Sequence, residues 1–287
     1  MSRIDQFESQ FQAASKQRYQ HSQVGLERVL VFTDLKREFS DAWGRRVERF
    51  LQESTGLQGR EAEWRTVPGP ECLTIGDVLA VVERWQPSLV CTYRNLHSGA
   101  WRWPYSLSDH LEVLTQTIDV PVLLLPRPSP QGSWDERDGP SSVMALADHL
   151  SGDHALVDWA VAMAQSGGTL TLSHVEDEAV FDRYIQVIRC IPEIDSDLAR
   201  EKIRRQLLRE PADYIESCVS ELAARGIRLD LRSEVLIGRQ IQTYTDLVAR
   251  NDVELLVLHT KDEGQMAMHG LAYPLTVELR DIPMLLI

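Results

Sequence analysis

The feature that most constrains the fold is a short apolar run that occurs twice. Asp119-Val120-Pro121-Val122-Leu123-Leu124-Leu125 is answered by the last seven residues, Asp281-Ile282-Pro283-Met284-Leu285-Leu286-Ile287. In each copy an acid and a proline lead into a continuous apolar segment, the pattern of a strand buried on both faces. The first copy runs into a polar stretch rich in Pro and Gly, Arg127 to Pro140, which has no periodicity and reads as a linker. The chain therefore divides into two halves that close on the same kind of strand.

Two further pairs occur in the same order. Val29-Leu30-Val31-Phe32-Thr33-Asp34 matches Val143-Met144-Ala145-Leu146-Ala147-Asp148, and Ser88-Leu89-Val90-Cys91-Thr92-Tyr93 matches Glu254-Leu255-Leu256-Val257-Leu258-His259. Three matched strands in one order are the mark of an internal repeat. Asp34 and Pro121 are 87 positions apart, Asp148 and Pro283 135, so the second half carries 48 more residues. These fit one extra strand and helical segment, expected at about residues 169–216. The first half is then a trimmed copy.

A length of 287 residues suits two domains, each able to bury a core. The expected boundaries are 1–27 for an N-terminal helix, 28–127 for a first domain, 128–141 for a linker and 142–287 for a second domain. A net charge of −13 argues against a nucleic-acid or anionic-membrane surface, which needs a basic patch. No run approaches the roughly 20 apolar residues of a membrane span. The first 28 residues are polar and hold no apolar core segment, so no secretory signal is expected. Cys72, Cys91, Cys190 and Cys218 are scattered, without a C-x-x-C pair, and are expected to be reduced and mostly buried in a cytoplasmic chain.

Within residues 1–24, Ile4, Phe7, Phe11 and Ala14 recur at helical spacing and predict an amphipathic helix packed on the first domain or on a partner. From residue 29 onward, apolar strand runs alternate with helical patterns. That alternation predicts an α/β fold with an open, mostly parallel sheet in each half. A long helical region, about 178–225, is expected to be divided by Pro192 and Pro211.

In the order of its motifs the chain resembles the universal stress protein family. The second half carries Ala147-Asp148-His149-Leu150-Ser151-Gly152-Asp153-His154-Ala155-Leu156, a strand ending in Asp followed by a Ser-bearing loop and a helix with an Ala-Leu pair. Thr169 to Val175 is similar to the family's second strand, which ends in His-Val, and Pro283 to Ile287 to its last. The first half resembles the same domain more loosely through Asp34, Ser40 and Pro121. The resemblance covers nearly all of residues 28–287 except the linker. It implies two tandem Rossmann-like domains of the adenine-nucleotide α-hydrolase-like kind. It also implies pairing of domains through the last strand, here 121–125 with 283–287 inside one chain.

Family members that bind ATP resemble one another in a loop of form G-x-x-G-x(9)-G-[ST]. Its glycines let backbone N–H groups approach the phosphates. Here His259 and Asp262 stand at the first two glycine positions, with Gly264 close by. Gly270 stands at the last, followed by Leu271 in place of the hydroxyl residue. Asp262 and Glu263 repel a triphosphate, and Lys261 alone compensates weakly. In the first half the matching loop is Tyr93 to Pro104, with one glycine and large aromatics, and Asp109 puts a negative charge where the anion would sit. Any nucleotide site implied by the resemblance would be formed by Asp148, Val175, His259, Gly264 and Gly270 in the second half, with Asp34 as the first half's counterpart to Asp148.

Asp34 and Asp148 read equally as ligand contacts at a strand end or as helix caps. His174 reads as a packed strand-end histidine rather than a base, since no Ser or Cys nucleophile is paired with it. His149, Asp153 and His154 flank a helix start and are not expected to form a metal site. Trp101, Arg102 and Trp103 either anchor a partner or fill space left by the trimmed unit, the second being favoured. The expected function is a non-enzymatic, cytoplasmic stress-response protein that acts by binding a ligand, partners or itself, without ATP. One alternative is an adenine-nucleotide sensor or weak ATPase using ATP or ADP in the second half. Another is a regulatory scaffold for a signalling or membrane protein.

Overall fold

The computed structural model describes residues 18–57, 61–99, 107–128, 139–146, 154–260 and 270–287. The first half runs β1 (Arg28–Phe32), α1 (Arg37–Gln52), β2 (Glu63–Val67), α2 (Ile75–Trp85), β3 (Leu89–Tyr93), α3 (Asp109–Thr117) and β4 (Val122–Leu125). The second runs β5 (Ser142–Leu146), α4 (His154–Met163), β6 (Thr169–Asp177), α5 (Glu178–Arg189), α6 (Ser196–Ala224), β7 (Asp230–Gly238), α7 (Gln240–Arg250), β8 (Leu255–Leu258), α8 (Ala272–Glu278) and β9 (Met284–Leu286). These strands form one sheet in the order β2-β1-β3-β4-β9-β8-β5-β6-β7. The fold is thus the α/β, Rossmann-like class that the alternating pattern predicts. Among the described residues no helix is long and apolar enough to cross a membrane.

Every neighbouring pair is parallel except β4 with β9, which is antiparallel with Val122 opposite Leu286, Leu123 opposite Leu285 and Leu124 opposite Met284. The two proline-led strands therefore meet at the centre of the sheet. There β3, β4, β8 and β9 are buried along their whole length, as their unbroken apolar runs require. The edge strand β7 is only partly covered, which matches its mixed composition.

Main-chain bonds repeat between the halves. The Pro121 carbonyl accepts from Val90 N–H at 3.0 Å, and the Pro283 carbonyl from Leu256 N–H at 3.1 Å. Glu63 N–H donates to Glu27 at 2.8 Å, and Thr169 N–H to Ser141 at 2.7 Å. By these bonds β6 is the counterpart of β2, and both lie beside the first strand of their half. The additional unit of the second half is therefore α5, α6 and β7, Glu178 to Gly238, and not the segment near 169–216 expected from spacing. A count of residues cannot tell which of two successive strands is the added one. Position in the sheet can.

Two groups tie the halves together beyond the seam. Arg94, just after β3, is 5% exposed. Its guanidinium donates to the carbonyls of Thr276, Leu279 and Arg280 at 2.9 Å each, at the end of α8. These are carbonyls a helix end leaves without intrahelical partners, and a cation there also suits the helix dipole. Burial pulls the Arg94 pKa down, to about 10, so it remains a cation at neutral pH. On a helical face, Thr55 N–H donates to Ala164 at 2.9 Å, just beyond α4.

The residues that carry the expected N-terminal helix, Ile4 to Ala14, lie outside the described residues. Residues 18–27 form no helix. They cross to the second half instead of packing only on the first. Asp158 of α4 accepts from Tyr19 Oη at 2.6 Å and from Ser22 N–H at 3.0 Å, and lies 2.9 Å from His21 Nδ1. Tyr19 N–H donates to Ser217 of α6 at 3.0 Å. Burial, then the bond to Asp158, raises the Tyr19 pKa and keeps its phenol neutral.

Pro192 falls in the turn between α5 and α6, as expected, but Pro211 lies inside α6 without dividing it. A proline removes one helical bond and crowds the preceding turn. Here Tyr214, Ile215, Cys218 and Leu222 bury the following turns, and this packing outweighs the local cost.

Replacing Arg94 with Met keeps volume but strands buried carbonyls. The expected cost is about 3 kcal/mol or more, seen as a lower urea midpoint. A loss under about 1 kcal/mol would show that the seam holds without this tie.

Candidate functional site

Open parallel sheets bind ligands beyond the carboxyl ends of their strands. Since β4 and β9 run antiparallel, the carboxyl ends of the two halves lie on opposite rims of the sheet.

On the first rim the crevice is built around Asp34, which follows β1. Its carboxylate accepts from Tyr93 Oη, from His97 N–H at 3.2 Å and from Arg127 Nη2 at 2.9 Å. Its own N–H donates back to Tyr93 Oη at 2.9 Å. Asp34 is therefore not a helix cap: the residue before α1 is Lys36, which makes no side-chain cap bond. Arg127 follows β4 and reaches back over the crevice. It lies 5.3 Å from the Tyr93 ring centre and donates to the Asn95 carbonyl at 2.8 Å. Burial, then the bond to Asp34, raises the Tyr93 pKa, so the phenol stays a donor.

The loop after β3 is strained. Asn95, His97 and Ser108 hold φ of 62°, 53° and 83°. Such conformations in non-glycine residues cost energy and persist only where neighbours enforce them. Across the crevice, a Cβ on Gly69 would lie 2.7 Å from the Asp34 carbonyl carbon, so only glycine fits there. The Pro68-Gly69-Pro70 break thus lets the backbone press against the strand end. His97 Nε2 and Asn95 Oδ1 are buried and have no hydrogen-bond partner among the described residues. Burial, then His110 with its ring centre 5.3 Å away, lowers the His97 pKa and favours the neutral ring.

On the second rim, Asp148 and Gly264 lie outside the described residues, as do His149, Asp153, Lys261, Asp262 and Glu263, and Trp101 to Trp103 of the first half. Val175 is buried in β6. Its N–H donates to Tyr244 Oη and its carbonyl accepts from Gln240 Nε2, both at 2.9 Å. An N–H makes one strong bond, so this one is already taken. His259 lines a cavity of about 190 Å³ at the seam, together with Asp119 and Thr115 of the first half and Ile287. Gly270 stands just ahead of α8 with φ 55°, a conformation that favours glycine.

Beside Val175 opens a cavity of about 590 Å³ lined by Asp177, Glu178, Asp182, Arg239, Gln240 and Leu271 among others. Asp177 caps α5, and Asp182 pairs with Arg200 at 3.0 Å. With Asp182 neutralised by Arg200, Asp177 and Glu178 face the Arg239 guanidinium, which leaves no cationic excess to hold a polyphosphate. His174 is 5% exposed and lies 3.4 Å from Glu176. His154 packs against the rings of Tyr19 and Tyr214. Among the described residues no group of three or more His, Cys, Asp or Glu side chains is placed to hold a metal.

The structure thus brings Asp34 together with Tyr93, His97 and Arg127, and Val175 with Tyr244 and Gln240. His259 it places at the seam. Sequence reasoning missed Arg127, hidden in a polar linker, and Tyr244, one aromatic on an ordinary amphipathic helix. No local pattern marks either. Arg94 carried a signal: a charge directly following an unbroken apolar strand.

No protein-family model and no curated protein sequence matches the chain. Among solved structures it is similar to a functionally unknown protein from Pseudomonas aeruginosa PAO1, at 14% identity and TM-score 0.45, covering 100% of this chain and 88% of that one. It is similar to a putative universal stress protein from Pseudomonas aeruginosa UCBPP-PA14, with the same identity, coverage and score. It is also similar to a universal stress protein from Archaeoglobus fulgidus DSM 4304, at 12% identity and TM-score 0.42, covering 92% and 86%.

The His97 shift has a sign. A histidine whose folded pKa is depressed binds protons more readily when unfolded. Its contribution is therefore intact above the unfolded value near 6.5 and is lost as pH falls below it. His97→Asn, which tolerates the left-handed backbone, is expected to flatten the fall in urea midpoint between about pH 7 and pH 5. An unchanged pH profile would show that another group governs it. Arg127→Ala is expected to cost about 1–3 kcal/mol by the same measurement, because Asp34 loses its cation.

Proposed function

We propose that the chain is a tandem universal stress protein, with units 28–127 and 142–287, acting in the cytoplasm without catalysis and without bound ATP. In this reading it works by engaging protein partners or itself. The order of its motifs supports the family, as does the seam between the two proline-led strands. One observation carries the ATP-free reading. On the first rim the Asp34 carboxylate is already bound by Tyr93, His97 and Arg127. A nucleoside hydroxyl arriving there would have to displace a charge-assisted bond it cannot replace in strength. On the second rim the engaged Val175 N–H and the acidic cavity point the same way.

A second reading is an adenine-nucleotide sensor in the second half. It is favoured by Gly270, which keeps the left-handed backbone at the place of the last loop glycine. Asp148 and Gly264 would complete that site. A regulatory scaffold for a signalling or membrane protein is a narrower form of the first reading.

The deciding measurement is the small-molecule content of the native protein, released by denaturation and identified by mass spectrometry. The expected result is no adenine nucleotide, together with a shift in Tm below about 1 °C on adding ATP and magnesium, as for a ligand present well below its Kd. Nucleotide near one per chain would overturn the ATP-free reading and establish the sensor.

A further inference from the structure

The seam has an approximate two-fold axis. Val122 lies opposite Leu286 and Leu124 opposite Met284, with Leu123 and Leu285 between them. The repeat that equates Pro121 with Pro283 carries the first pair into the second and Leu123 into Leu285. The next strands obey the same operation. Val90 beside Val122 recurs as Leu256 beside Met284, and Thr92 beside Leu124 as Leu258 beside Leu286. Two residues further on, the operation carries Arg94 onto Thr260.

The two sides are filled differently. Besides its three carbonyls at the end of α8, the Arg94 guanidinium lies 3.7 Å from Met284 Sδ, and the charge of Asp281 favours its cationic form. Thr260 is as buried as Arg94, at 5% exposed, but its hydroxyl donates to the nearby Ile287 carbonyl at 3.1 Å. A side chain this short cannot cross the seam. Where the guanidinium would reach lies the cavity of about 190 Å³, lined by Ile118, Asp119, Val122 and Thr260 among others. These four are the counterparts of Arg280, Asp281, Met284 and Arg94. The helix beside the cavity, α3, ends at Thr117, within one residue of the position that matches the end of α8 at Glu278. A helix end offers carbonyls without intrahelical partners and favours a cation.

We propose that this cavity binds a small guanidinium cation, held as the head of Arg94 is held across the axis. A planar fork of N–H donors suits carbonyls that diverge from one helix end better than a compact ammonium does. Asp119 stands where Asp281 supports Arg94. Val120 and Leu286 add an apolar wall for a short carbon chain. The volume has room for several waters, or for a guanidinium with a few carbons. The proposal rests on the repeat and the seam, and it stands or falls separately from the ATP-free reading.

The test is calorimetric titration of agmatine into the full chain at about 150 mM NaCl, which screens non-specific attraction to an acidic surface. The expected Kd is below about 1 mM, with putrescine, the diamine of the same carbon chain, at least about tenfold weaker. Asp119 is exposed, so Asp119→Asn keeps the fold, and it is expected to weaken agmatine by about fivefold. Thr260→Arg supplies a tethered guanidinium at the matching position. It is expected to abolish agmatine binding and to raise the urea midpoint. No binding by the wild type at roughly 10 mM agmatine would overturn the proposal, as would equal affinity for putrescine. Affinity that both variants leave unchanged would place the ligand elsewhere and overturn it too. If agmatine binds only after Lys261→Ala, the cation of this cavity is the chain's own lysine, and the proposal is equally wrong.

Discussion

The structure depends on one antiparallel contact between two strands that both need to be buried. β4 and β9 are apolar on both faces, and each is the closing strand of its half. Alone, either would present an open edge of unpaired backbone groups. Paired, they turn two small parallel sheets into one and remove both edges. The cost is an interface that has to exclude water over its full width. Arg94 completes it by satisfying helix-end carbonyls that the crossing would otherwise leave buried and unpaired.

The same principle governs the crevice around Asp34. A carboxylate at the end of a buried strand has to find donors or be left desolvated. Here it finds them within the chain, from a phenol, a backbone amide and a guanidinium. Arg127 has a reach set by its place directly after β4, so closure of the seam strand and occupation of the crevice are consequences of one chain path. The strained backbone at Asn95 and His97 fits this arrangement: the loop is bent to deliver an amide to the carboxylate. The carboxylate is satisfied within the chain, while His97 Nε2 and Asn95 Oδ1 beside it keep no hydrogen-bond partner among the described residues.

Much of this layout could be read from the amino acids, and the reasons are specific. The central strands were legible because a strand buried on both faces has no polar position, so 122–125 and 255–258 stand out. The pairing of the closing strands was legible because both carry the same acid and proline. The extra unit was misplaced because sequence spacing gives a length and sheet order gives a location. Pro211 misled because local propensity was set against packing that only the tertiary structure reveals. Of the candidate site residues, Asp34 stood out by its repeat. Its partners Tyr93, His97 and Arg127 come from separated segments, and no periodicity links them.

The position of β9 has a consequence for how the chain can acquire its shape. Of the described strands it is the last to be synthesised, yet it occupies the middle of the sheet. Until it is released from the ribosome, β4 and β8 both wait with apolar flanks and unfilled hydrogen bonds. The keystone arrives after the arch. Nearly all the native contacts of β4 on one side span more than a hundred and fifty residues of intervening chain, a separation that slows closure. A chain interrupted shortly before residue 283 would be left with two sticky central edges rather than one frayed end. It would be matter for chaperones or proteases.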